Sequence, residues 1–132
     1  MLFQITSLYA GLGALFMVFL SIRVIAVRRS RRIGLESGGD PELARRIRVH
    51  GNACETLPIG LIVLALVEAT GGQVWLVHAL GAALIVGRLA HFQGLTQSIG
   101  ASLGRTLGMV LTFTVLIVGG LYLVETSALA LA

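Results

Sequence analysis

Four apolar stretches, at about 3–27, 47–69, 74–94 and 105–125, dominate the chain and leave little room for anything else. Each approaches or exceeds the roughly 20 residues a helix needs to cross ~30 Å of hydrocarbon. The first reads FQITSLYAGLGALFMVFLSIRVIAV. A lone strand cannot satisfy its backbone in lipid, so each stretch reads as a helix. The expected fold is an all-α membrane protein, a four-transmembrane-helix bundle in one domain spanning 1–132. Composition agrees with lipid as the solvent. Of 132 residues, 56% are hydrophobic and 12% charged, against about a quarter charged in soluble domains. A globule this small has too little interior to hide so much apolar surface.

All ten basic residues are arginines, set against six acidic ones. Such a balance can signal nucleic acid, but seven of the arginines crowd between positions 28 and 48, where the first two spans are joined. Membrane topology explains that pattern better, so no nucleic-acid partner is expected. The positive-inside rule makes this connection cytoplasmic and returns Arg88 and Arg105 to the same side. Both termini are then expected outside the cytoplasm. The block RRSRR follows the first span and no basic residue precedes it. That is the reverse of a signal peptide, so a retained anchor is expected.

Local signals refine the helices. Asp40-Pro41-Glu42 is a helix start, with Asp as cap and Pro in the first turn. A helix from there to Thr70 would be about 42 Å long, and Pro58 is expected to bend it. Gly100, Gly104 and Gly108 stand four apart, as do Ala79, Ala83 and Gly87. That spacing lets membrane helices approach backbone to backbone. The single cysteine, Cys54, allows no internal disulfide, and a small buried hydrophobe is the expected role. His78 beside Trp75 reads as an interfacial residue.

The polar residues of the spans are not scattered. Arg48, Asn52 and Glu55 are spaced i, i+4, i+7 and share a helix face, which Arg45 extends by a turn. Arg88 and His91 are one turn apart on the third span; Arg23 closes the first and Arg105 opens the fourth. Charges at this depth are costly and are usually paired or functional. Plainer readings exist for each. Arg23, Arg45 and Arg105 can snorkel to lipid phosphates, Glu55 can form a structural salt bridge with Arg88, and Asn52 can staple helices. Together they compose a site for a small zwitterionic or anionic ligand. The scattered histidines argue against a metal.

RVHGNACETLP, at 48–58, resembles the R-x-H-x-N-x-x-E signature of the MAPEG family, the membrane-associated proteins of eicosanoid and glutathione metabolism. GRLAH at 87–91 resembles that family's third-helix segment, and RVIAVRRSRRIGLESGGDPEL resembles the first cytoplasmic loop of its bacterial members. The resemblance spans essentially the whole chain. It implies a homotrimer in a bacterial inner membrane, with glutathione as thiol co-substrate held between subunits. Arg48, Asn52 and Glu55 would hold the tripeptide, assisted by Arg88, His91 and Arg23. Arg105, matched with a one-residue shift, would be catalytic and stabilise the thiolate. The implied partner substrates are a small lipophilic electrophile or a lipid hydroperoxide, arriving through the bilayer between spans one and four. Gly51, Thr56 and Leu95 depart from the family pattern, replacing an arginine and two tyrosines of various members. The expected function is therefore a glutathione S-transferase-like or peroxidase-like enzyme. The alternatives are a catalytically silent binding or scaffold protein of the same fold, and a small proton-coupled transporter using Glu55.

Overall fold

The computed structural model describes residues 3–97 and 100–132. They form four helices: α1 (Gln4–Arg31), α2 (Pro41–Ala69), α3 (Val74–Gln97) and α4 (Leu103–Leu131). Each is long and apolar enough to cross a bilayer, which makes the chain a multi-pass membrane protein. Most of them run beyond the apolar stretches. α1 continues through Arg28–Arg31, and α2 begins at Pro41. Backbone hydrogen bonding continues past the hydrocarbon, whereas the apolar pattern stops with it.

Side chains near the termini fix the helix ends. Asp40 caps α2 by accepting from the Leu43 N–H at 2.9 Å, with Pro41 in the first turn. Ser102 stands at the same position before α4. α1 has no cap of its own, since Phe3 precedes it in a left-handed conformation without a side-chain bond. Glu68, at the far end of α2, serves instead. Its carboxylate accepts from the Ile5 N–H at 2.9 Å and the Thr6 N–H at 2.7 Å, where the helix dipole also favours an anion.

Successive helices alternate in direction. α1 and α4 each pack on both α2 and α3 but, among the described residues, do not touch each other. The cross-section is a rhombus with α2 and α3 across its short diagonal. A single protomer thus offers no cleft between spans one and four; a cleft there needs two copies. Tyr9, Leu57, Leu64, Val67, Val77, Leu80, Leu84 and Val115 fill the middle of the bundle. A smaller cluster of Leu20, Val49, Ala53 and Leu95 lies towards the arginine-rich end. Leu15, Phe19, Ile22, Val110 and Ile117 face outward, as lipid tails permit.

α3 and α4 make the closest approach. A Cβ added to Gly108 would lie 2.6 Å from the Gly87 carbonyl oxygen, and one on Gly104 would lie 3.1 Å from the Gly94 Cα. Gly87, Gly104 and Gly108 thus belong to the contact that their spacing suggested, and Gly94 joins them. Ala79 faces outward, and Gly100 lies in the connection before α4.

Candidate functional site

Arg88 is only 2% exposed, near the arginine-rich end of α3. One terminal nitrogen donates to Asn52 Oδ1 at 2.7 Å and Thr56 Oγ1 at 2.8 Å; the other donates to the Gly108 carbonyl at 2.9 Å and to the Thr112 hydroxyl. The planar fork of a guanidinium reaches two sets of acceptors at once. Thr56 and Thr112 direct their own protons to the backbone carbonyls of Asn52 and Gly108, both at 2.8 Å. Their lone pairs are thereby left for the arginine. Arg88 can only donate, so Asn52 must offer its oxygen and turn its amide N–H groups elsewhere. Arg88 is a strut joining α2, α3 and α4, and it orients Asn52.

The Glu55–Arg88 salt bridge considered from the sequence does not form. Glu55 pairs instead with Arg48 on its own helix, at 3.2 Å. The reason is direction: these two side chains are 56% and 64% exposed, whereas Asn52 is half-buried and bonded to Arg88. The stripe of three runs along the seam between the buried and outer faces of α2. An ion pair presented outward from a membrane helix needs a polar cover.

Two cavities meet at Arg105. One, of about 430 Å³, has Arg105 and His91 at its polar side and Met109, Val110 and Phe113 as apolar walls. The other, of about 370 Å³, is walled by Arg45, Arg48, Arg105 and Leu95. Ser102 leads into the first turn of α4, which sets Arg105 there, and its guanidinium donates to the Gly100 carbonyl at 2.7 Å. His91, 6% exposed, also stands beside Asn52 and Arg88. Arg48, Asn52, Glu55, Arg88, His91 and Arg105 are therefore linked through shared contacts or shared cavities. Arg23 is not among them. It lies over Phe92, 4.8 Å from the ring centroid, in a cavity between α1, α2 and α3 that none of those six lines and that adjoins theirs through Arg45.

Other residues behave differently from their expectations. Cys54 is exposed, not buried, because position 54 of α2 points away from the other helices; its sulfur lies 3.6 Å from His50 Nδ1. His50 Nε2 meets the Ser21 hydroxyl at 3.0 Å and ties α2 to α1. His78 meets the Tyr9 hydroxyl at 3.1 Å. Thr56 and Thr112 were invisible as site residues in the sequence, where a membrane threonine is usually bonded to its own helix. No group of three His, Cys, Asp or Glu among the described residues is placed to hold a metal.

Four apolar helices around a buried arginine strut, with cationic cavities at one end, define a multi-pass membrane protein with a polar intramembrane site. Residues 6–124 match the MAPEG family model, and the chain belongs to that family. It is 38% identical over 91 residues to the inner membrane protein YecN of Escherichia coli strain K12, a match covering 69% of this chain and 70% of that protein. YecN of the O6:H1 strain gives the same figures.

Proposed function

We propose that the protein is a glutathione-dependent enzyme of transferase or peroxidase type. It works as a homotrimer in a bacterial inner membrane, with its arginine-rich end in the cytoplasm and both chain ends outside. Arg105 carries this reading, as the wall shared by a cationic cavity and an apolar one. Family membership and the inner-membrane relative support the setting. The carboxylates of the tripeptide meet Arg48 and the cationic cavity, its ammonium meets Glu55, and the Asn52 amide donates to its backbone. The sulfur lies at Arg105, whose permanent charge favours thiolate over thiol. A lipophilic electrophile occupies the groove of Met109, Val110 and Phe113. In conjugation the thiolate sulfur bonds to the electrophilic carbon, the leaving group departs with its electron pair, and the thiol proton passes to water at the cytoplasmic mouth. Positioning and thiolate formation supply the rate.

The test uses purified protein with glutathione and a chlorinated nitroaromatic. Expected are glutathione-dependent chloride release and an absorbance change at the thiolate band on mixing. Both are lost in Arg105→Ala, while assembly persists. A thiolate signal unchanged in that variant sinks the assignment of Arg105. A binding or scaffold protein is the second reading. Two observations favour it: both terminal nitrogens of Arg88 are engaged within the protomer, and apolar Leu95 walls the cationic cavity. Glutathione heat release without turnover of either electrophile or hydroperoxide would select it.

A further inference from the structure

A cavity of about 100 Å³ lies between α1, α2 and α3 at the arginine-rich end, floored by the buried Leu20 and Val49. Three guanidinium groups line it, those of Arg23, Arg45 and Arg46, against the single carboxylate of Glu42. That carboxylate is already committed: it holds Arg46 at 2.6 Å and lies 3.9 Å from Arg31. Arg46 directs its other arm to the Arg23 carbonyl at 2.8 Å. Arg45 places one N–H on the Thr96 carbonyl at 3.1 Å, and no other bond from its guanidinium to a described residue is present.

Arg23 is the telling member. Its guanidinium lies over the Phe92 ring at 4.8 Å and the Phe19 ring at 5.7 Å, with no hydrogen bond to any described residue. The two rings, at 76° to each other, offer the guanidinium cation–π contact but no hydrogen-bond acceptor, so its N–H groups have none among the described residues. Such a fork of N–H groups recognises tetrahedral oxyanions in a bidentate manner. The cavity could hold several waters, or one such oxyanion. Glu42 balances Arg46, whereas Arg23 and Arg45 have no carboxylate partner among the described residues.

We infer that this cavity binds a phosphate-type oxyanion, presented by an anionic phospholipid headgroup. The lipid source follows from the outer surface of α1. Leu15, Phe19 and Ile22 share one face at i, i+4, i+7 and are 70%, 47% and 58% exposed. This ridge leads from the acyl region up to Arg23, so a headgroup in the cavity can keep its chains on the ridge. Basic pockets between membrane helices on the cytoplasmic side take such headgroups. The site does not depend on the proposed thiol chemistry, although Arg45 walls both cavities.

The experiment is native mass spectrometry of delipidated full-length protein. Phosphatidylglycerol, phosphatidylcholine and inorganic phosphate are supplied separately, and thermal unfolding is followed in parallel. Phosphatidylglycerol should be retained as a single lipid per protomer and raise the unfolding temperature; phosphatidylcholine, whose choline cation faces the arginines, should not. Arg23→Gln and Arg45→Gln, made separately, should each weaken retention by about fivefold. Arg29→Gln, which removes the same charge from the exposed end of α1, should leave it unchanged. Stabilisation by inorganic phosphate alone, lost in the same two variants, would keep the oxyanion site and transfer its source to solution. Equal retention of both lipids by the wild type overturns the proposal. So does retention unaffected by either pocket variant, or weakened as much by Arg29→Gln.

Discussion

Arg88 sits where a charge is costly, with no carboxylate among its partners. Directed dipoles substitute for a counterion: an amide oxygen, a carbonyl and two hydroxyls, drawn from α2 and α4. The arrangement depends on shape as much as charge. An ammonium keeps the charge but cannot reach both acceptor sets at once. Arg88→Lys should therefore destabilise the protomer by about 1.5–3 kcal/mol, the usual worth of hydrogen bonds to a charged group. Unfolding titrations with denaturing detergent in mixed micelles measure this; a stability equal to wild type would show that charge alone suffices. The same variant releases Asn52, whose amide direction depends on the arginine. Sequence spacing identified Arg88 and Asn52 as neighbours in depth. It could not say that they bond to each other and not to Glu55, because spacing does not orient one helix against another.

At the scale of elements, the α3–α4 contact is set by what is missing from the side chains. Gly87 and Gly108 bring two backbones together, and Arg88 then reaches the Gly108 carbonyl across the gap. A methyl group on Gly108 would also lie 2.6 Å from the His91 Cβ and 2.7 Å from its N. Backbone cannot move aside as a rotamer does, so the helices must separate. Gly108→Ala should cost about 1–3 kcal/mol, the range for overpacking, and should loosen Arg88 at the same time. Gly120→Ala, in the same helix with nothing within 4 Å of the new methyl, should instead be neutral or stabilise by up to about 1 kcal/mol. Equal effects in the two variants, read from the same unfolding titration, would show that the close approach does not govern stability.

At the scale of the whole molecule, the proposed trimer accounts for two features of the protomer. Arg48 and Glu55 point outward at membrane depth, and α1 and α4 lie at opposite corners of the rhombus. Copies around an axis would cover the ion pair and bring α1 of one against α4 of the next. We expect native mass spectrometry to find three times the 13.9 kDa protomer mass. Glu55→Ala, which leaves Arg48 unpaired on that face, should shift the population towards smaller species. A wild-type protein that stays monomeric at every concentration would remove both the trimer and the site between its subunits.

The sequence by itself determined the solvent, the number of crossings and the depth of the polar groups. Each of these follows from sums over some twenty residues, which no neighbouring helix can reverse. It also determined the start of α2, because Asp40 and Pro41 act within one turn. Only the tertiary structure decided which side chains of the polar stripe turn inward, that Arg23 leaves the set, that Cys54 is exposed, and that Glu68 caps a helix 62 residues away. Those outcomes depend on the rotation of each helix about its axis and on its choice of neighbours. Both are settled by packing among glycines and branched side chains, long after local periodicity has done its part.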